Sequence, residues 1–177
     1  MNLQSNDFEL FGLAPEFVQD RQAIDARWKD LQREAHPDKF VAQGASAQRL
    51  AMQWSVRINE AYQRLKDPLK RAAYLCELNA APVNAENNTA MPTEFLMQQM
   101  QWREALDEAS ASAELDELSE QVRCTRRDIL QKFEQLLDHE HDYPGAVQQV
   151  RALMFIERFN HDVQSRLDQI DKPKRGQ

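Results

Sequence analysis

RWKDLQREAHPDKF, residues 27–40, is the stretch whose reading decides the fold. A helical run carrying Trp28 and Leu31 on one side must stop at Pro37, whose ring lacks an amide hydrogen and disfavours helix at His36. Upstream, Asp20 is a suitable N-cap, and Ile24, Trp28, Leu31 and Ala35 continue one apolar stripe, so the spacing predicts a helix from 21 to 35. Downstream, residues 46–66 carry Ala47, Leu50, Ala51, Trp54, Ile58, Ala61, Tyr62 and Leu65 on one face. Two long stripes joined by a short loop predict an antiparallel helical hairpin. The loop presents an imidazole, a rigid ring and a carboxylate in succession, with Asp38 expected to cap the turn.

Working outward, Phe8 and Phe11 predict a short helix over 7–12 that ends at Gly12 and Pro15. Asp67-Pro68 restarts the chain as a further short helix holding Leu69, Arg71, Tyr74 and Leu75. Residues 79–92, rich in Asn, Ala and Pro, lose the helical stripe and read as a connector. Helical patterns return over 93–110, 113–141 and 144–170. The middle one is expected to bury Leu115, Leu118, Val122, Ile129, Phe133 and Leu136, and the last Ala152, Ile156, Phe159, Val163, Leu167 and Ile170. The expected architecture is all-α: a hairpin unit over 1–78, the connector 79–92, a three-helix bundle over 93–171 and a frayed tail, 172–177. Only four glycines and few β-branched runs agree with that class.

Charge narrows the partners. Residues 1–75 hold 11 Lys and Arg against 10 Asp and Glu, which leaves 11 against 19 for the rest. An acidic back half argues against nucleic acid, which needs a basic stripe. Cys76 and Cys124 stand far apart with no Cys-x-x-Cys spacing, so zinc, metal and redox motifs are absent and free cytosolic thiols are expected. No basic segment followed by an apolar run opens the sequence, and no stretch is long and apolar enough for a membrane span. The expected location is the compartment of synthesis.

Recognition chemistry falls in two places. At about 100° per residue, Gln22, Ala26, Lys29 and Arg33 lie opposite the Ile24 stripe, so a positive strip leads to the loop; Arg27 flanks it and Asp30 dilutes it. His36 and Asp38 would need a shaped pocket and an orienting group for acid–base catalysis, and neither is visible. In 93–110 the core stripe is Phe95, Gln99, Trp102 and Leu106, yet Leu96, Met97 and Met100 are apolar as well. Together with Gln101, Glu104 and Glu108 they centre roughly 190° from that stripe and should face outward. Two readings stay open for this face: a docking site for a basic partner, suited by adaptable Met side chains, or a surface covered by the connector or the hairpin unit.

The series Asp7-Phe8-x-x-Phe11-Gly12-Leu13, His36-Pro37-Asp38, and Asn59-Glu60-Ala61-Tyr62-x-x-Leu65-x-Asp67-Pro68 with Arg71 and Tyr74 resembles the J domain of co-chaperones that stimulate ATP hydrolysis by heat shock protein 70 chaperones. The resemblance implies that Lys29, Arg33 and Arg27 dock on an acidic surface of the chaperone, while His36, Pro37, Asp38 and Lys39 act at its interdomain linker. The run Phe95-Leu96-Met97-x-x-Met100-x-x-Arg103-Glu104-x-Leu106-Asp107-Glu108 is similar to the C-terminal domain of the HscB family of iron–sulfur cluster biogenesis. That likeness covers nearly the whole chain. It implies a non-enzymatic co-chaperone of the bacterial cytoplasm, without cofactor or metal, that binds the scaffold IscU and delivers it to an HscA-type chaperone. Carried over by position, the scaffold-binding residues would be Leu96, Met97, Met100, Gln101, Glu104 and Glu108, joined by Phe155, which lies off the Ile156 stripe. The family more often has an acid where Gln101 stands.

DnaJ-type Gly/Phe segments and Cys-x-x-Cys-x-Gly-x-Gly motifs are missing after Tyr74. The chain also begins almost at the J domain, as expected for a metal-free bacterial type. A J protein with an unrelated client and a purely structural helical adaptor stay as alternatives.

Overall fold

The structure, a computed structural model, describes residue 2, residues 4–84 and residues 90–171. The tail 172–177, expected to fray, lies outside the described residues, as do connector positions 85–89. The described chain is helical without strands and divides into two compact units, Met1–Leu78 and Asn79–Gln177.

The first unit holds α1 (Asp7–Phe11), α2 (Arg21–Glu34), α3 (Ala45–Lys66) and α4 (Pro68–Leu78). Asn6 and Glu9 form a reciprocal capping box on α1, and Gly12 ends it in the left-handed region at φ 65°, which a side chain would disfavour. Asp20 caps α2 as expected, its carboxylate accepting the Gln22 amide at 2.9 Å. The α2–α3 hairpin is laced by pairs whose numbers rise in one helix as they fall in the other. Arg21 reaches the Lys66 carbonyl, the Tyr62 hydroxyl donates to Asp25, Trp28 Nε1 donates to Asn59, and Gln32 exchanges bonds with Ser55. That is antiparallel register, with Ile24, Leu31, Ile58, Ala61 and Leu65 sealed between the helices.

Leu50 departs from the expected stripe. It is 48% exposed, because at 100° per residue it stands at the edge of the face centred on Ala51, Ile58 and Leu65.

Polar groups tie the remaining elements to this hairpin. Asp7 is fully buried; Arg64 binds it through Nε at 2.6 Å and Nη2 at 3.0 Å, and Arg57 Nη1 lies 2.6 Å away, near as an ion pair but off the line of a hydrogen bond. The Asp7 amide donates to the Tyr74 hydroxyl on α4. Arg71, also buried, donates to the Phe17 and Leu65 carbonyls, with its guanidinium 4.9 Å from the Phe17 ring. A buried charge held this way is satisfied by hydrogen bonds and not left bare.

The second unit is the three-helix bundle: α5 (Thr93–Glu108), α6 (Ser112–Phe133) and α7 (Tyr143–Asp171). The Arg126–Glu157 and Ser119–Gln164 pairs run in opposite senses, so α6 and α7 are antiparallel. Ring contacts Phe95–Phe155 and Trp102–Phe159 advance together, so α5 runs parallel to α7. The Glu114 carboxylate accepts the Ser110 and Ala111 amides ahead of α6, which holds its carboxyl below the usual range.

A π-helical turn, Glu134–His139, follows α6. Its wider winding carries the stripe to Leu137, which is buried, where the sequence pattern pointed to Leu136, which is half-buried. His141 then reverses the chain at φ 54°, and Asp142 accepts the Gly145 amide at the start of α7. A side chain at Gly145 would collide with that carboxylate. Neither Cys76 nor Cys124 forms a disulfide among the described residues, and burial pushes the Cys76 thiol up to about 11. Among the described residues no helix is long and apolar enough to cross a membrane.

Candidate docking sites on the two units

The His36-Pro37-Asp38 stretch is not an irregular loop. Residues Pro37–Gln43 wind into a 3-10 helix, with Pro37 at its first turn, where a missing amide costs nothing. The cap is His36, not Asp38: the ring Nδ1 of His36 accepts the Asp38 amide at 3.3 Å. The reason is geometric. Asp38 lies inside the first turn, one residue past Pro37, so its amide is an orphan donor and the residue before the turn supplies the acceptor. The Asp38 carboxylate stands 3.6 Å from the same ring nitrogen and points into solvent, as does the imidazole. Lys39 is exposed, and Pro37 and Phe40 are half-buried.

Along α2, Gln22, Asp25, Ala26, Lys29, Asp30 and Arg33 line one shallow hollow leading toward this loop. The expected positive strip is therefore laced with acids. Arg33 is paired with Asp30 at 3.1 Å, and Arg27 lies 3.7 Å from Glu34. Asp25 is engaged inward: the Arg21 guanidinium and the Tyr62 hydroxyl hold its carboxyl below the usual range. Exposed pairs such as Arg33–Asp30 are worth little, so an incoming carboxylate can exchange for Asp30 at small cost.

On the bundle, α5 has the two faces its sequence predicts. Phe95 and Trp102 are buried, whereas Leu96, Met97 and Met100 are 42%, 62% and 73% exposed. Met97, Met100, Gln101, Glu104, Asp107 and Glu108 surround one open depression. Glu108 also borders the next one, with Glu114, Glu117 and Gln121 on the α6 side, so the acidic surface continues off α5.

Phe155 is placed differently from the other expected contacts. It is 8% exposed, lying between Phe95 and Phe159, and the Arg103 guanidinium covers its ring at 5.3 Å. Its ring is therefore covered and does not stand out to solvent as Leu96, Met97 and Met100 do.

Across its length the chain is similar to known co-chaperones. A family model described as the HSCB C-terminal oligomerisation domain matches residues 91–164. The co-chaperone protein HscB homolog of Burkholderia thailandensis is 45% identical over 174 residues, covering 97% of this chain and 99% of that protein. The chain belongs to the HscB co-chaperone family. The homolog of Burkholderia multivorans is 43% identical over the same share of the chain. Among solved structures, chaperone HscB from Vibrio cholerae superposes with a TM-score of 0.80 at 34% identity, covering 94% of this chain and 99% of that one. Human co-chaperone HscB, at 22% identity, shares the fold with a TM-score of 0.86 over 93% of this chain and 83% of that one.

For this HscB-family chain the sequence reading missed Asp107 and Arg103. Asp107 follows Met100 at i, i+7 and so shares its face, a spacing that would have found it. The position of Arg103 over Phe155 is a contact between helices and leaves no periodic trace. Phe155→Ala is expected to lower unfolding free energy by about 3 kcal/mol, because a buried aromatic ring leaves a cavity. Denaturant unfolding checks this; lost partner binding at unchanged stability would instead put the ring on the docking surface.

Proposed function

We propose that this chain brings an IscU-type iron–sulfur scaffold protein to an HscA-type chaperone of the heat shock protein 70 family and raises that chaperone's ATPase rate, in the bacterial cytoplasm. The observation that carries the reading is α5, a helix already seated in its bundle by Phe95 and Trp102 that still turns Leu96, Met97 and Met100 to solvent beside acids. A helix needs only one apolar stripe to pack, so a second one implies a second surface to bury.

In this reading Leu96, Met97 and Met100 supply apolar contact, and Glu104, Glu108 and Asp107 select a basic partner. Gln101 contributes polar contact without charge, and Phe155 supports α5 through its contact with Phe95. Lys29, Arg33 and Arg27 steer the chaperone's acidic surface onto α2, while His36, Pro37, Asp38 and Lys39 act at its linker. The chain's own residues transfer no bond. They bind the hydrolysis-competent conformation of the chaperone in preference to the others and so raise its population. The cluster is cargo of the scaffold.

Steady-state ATPase of the chaperone, measured with this chain, with scaffold and with both, tests the reading. Stimulation by both together is expected to exceed the product of the separate effects. Stimulation by the chain with no response to scaffold would assign a different client.

A further inference from the structure

The hollow along α2 holds two acids with different fates. Asp25 is spent on its own fold: its Oδ1 accepts from Arg21 Nε at 2.9 Å and from the Tyr62 hydroxyl at 2.9 Å. Asp30 faces outward instead. Its side chain is 52% exposed, and its Oδ1 accepts from Arg33 Nη2 at 3.1 Å. One nitrogen of the guanidinium and one oxygen of the carboxylate make that bond; among the described residues nothing else holds Asp30 Oδ2. An exposed pair three residues apart on one helix adds little to stability, so the fold does not require Asp30. The carboxylate also works against the strip. With Asp25 and Asp30 set against Lys29 and Arg33, the hollow carries no net charge and by itself attracts no acidic partner.

We infer that Asp30 is a specificity-determining residue that pairs with a basic side chain set among the acids of the chaperone's docking surface. The inference rests on the proposed docking of the chaperone at α2. A carboxylate that takes the Arg33 guanidinium in bidentate fashion competes for the Nη2 that Asp30 now occupies. Asp30 is then displaced and stands beside the carboxylate that displaced it. Against a partner surface that is acidic throughout, two like charges are left together and docking is opposed. A base on the partner within reach of Asp30 closes the set instead, with acid on Arg33 and base on Asp30. Discrimination of this kind uses a repulsive element built against the wrong partner, and Asp30 supplies it.

The sign of one substitution in the full chain decides. Asp30→Asn removes the charge and, at nearly equal helix propensity, leaves α2 intact. Were Asp30 only a counterion, the variant would free Arg33 and lower the concentration needed for half-maximal stimulation of an HscA-type chaperone's ATPase. The inference expects the reverse. That concentration should rise about fivefold, the upper range for an exposed ion pair, and the difference should shrink at high salt. Glu34→Gln changes net charge equally but acts outside the hollow, where Glu34 lies 3.7 Å from Arg27; its effect should stay within about twofold. Asp30→Lys should impair stimulation further, and one Lys→Glu or Arg→Glu reversal on the chaperone's docking surface should restore it. An Asp30→Asn chain that stimulates as well as wild type or better overturns the inference. So does a Glu34→Gln effect as large as that of Asp30→Asn, or an Asp30→Lys chain that no single reversal rescues. A wild-type chain that leaves the ATPase rate unchanged overturns the functional reading beneath it instead.

Discussion

His36→Gln is expected to abolish stimulation of the chaperone ATPase, by tenfold or more, while thermal unfolding stays where it was. The side chain is 57% exposed and reaches no core residue; its contacts are the Asp38 amide and the nearby Asp38 carboxylate. Surface substitutions of that kind change stability by about 0.5 kcal/mol or less. Glutamine also keeps a carbonyl oxygen that can accept the Asp38 amide, so the 3-10 turn survives while the imidazole is lost. A fall in ATPase stimulation with unchanged circular dichroism therefore reports recognition and not folding. Stimulation retained by the variant would remove the loop from the mechanism.

Replacing Leu96, Met97 and Met100 together with Ala is expected to weaken scaffold binding by about a hundredfold. Three apolar side chains that leave water on docking are worth roughly 1 kcal/mol each after ordering costs, and losses of that size multiply into two decades. Stability should hold, because none of the three is buried and alanine is the best helix former. Stimulation of the chaperone without scaffold should be untouched. Titration calorimetry checks the first expectation and ATPase assays the second; an unaltered affinity would move the scaffold off α5. Phe155 is buried, so its loss would add a cavity to any lost contact.

Much of the fold was legible in advance because it depends on periodicity. Ile24, Trp28 and Leu31 before Pro37, and Ala51, Ile58 and Leu65 after it, dictate two helices and one sharp stop. The same rule exposed the two faces of α5, where Phe95 and Trp102 claim one side and Leu96, Met97 and Met100 must take the other. Leu50 and Leu136 were misplaced for related reasons. Each sits at a stripe's edge, where 100° of rotation does not choose between neighbours, and a π-helical turn then moved the stripe to Leu137.

The site was legible only as far as single helices carry it. His36 and Pro37 name a turn, but which side chain caps it depends on the orphan amide of a 3-10 turn, and that turn is not written in composition. Lys29 and Arg33 read as a positive strip until rotamers brought Asp30 onto Arg33 and tied Asp25 to Arg21 and Tyr62. Sequence by itself determined helix positions, their apolar faces and the family, since these follow from short-range spacing and from motifs a few residues long. Only tertiary structure decided that Phe155 is covered by Arg103, that Asp7 is buried between two arginines, and that Arg151 grips Val83 and Ala90. Those contacts join positions about fifty or more residues apart, where no helical period reaches and burial is set by which faces meet.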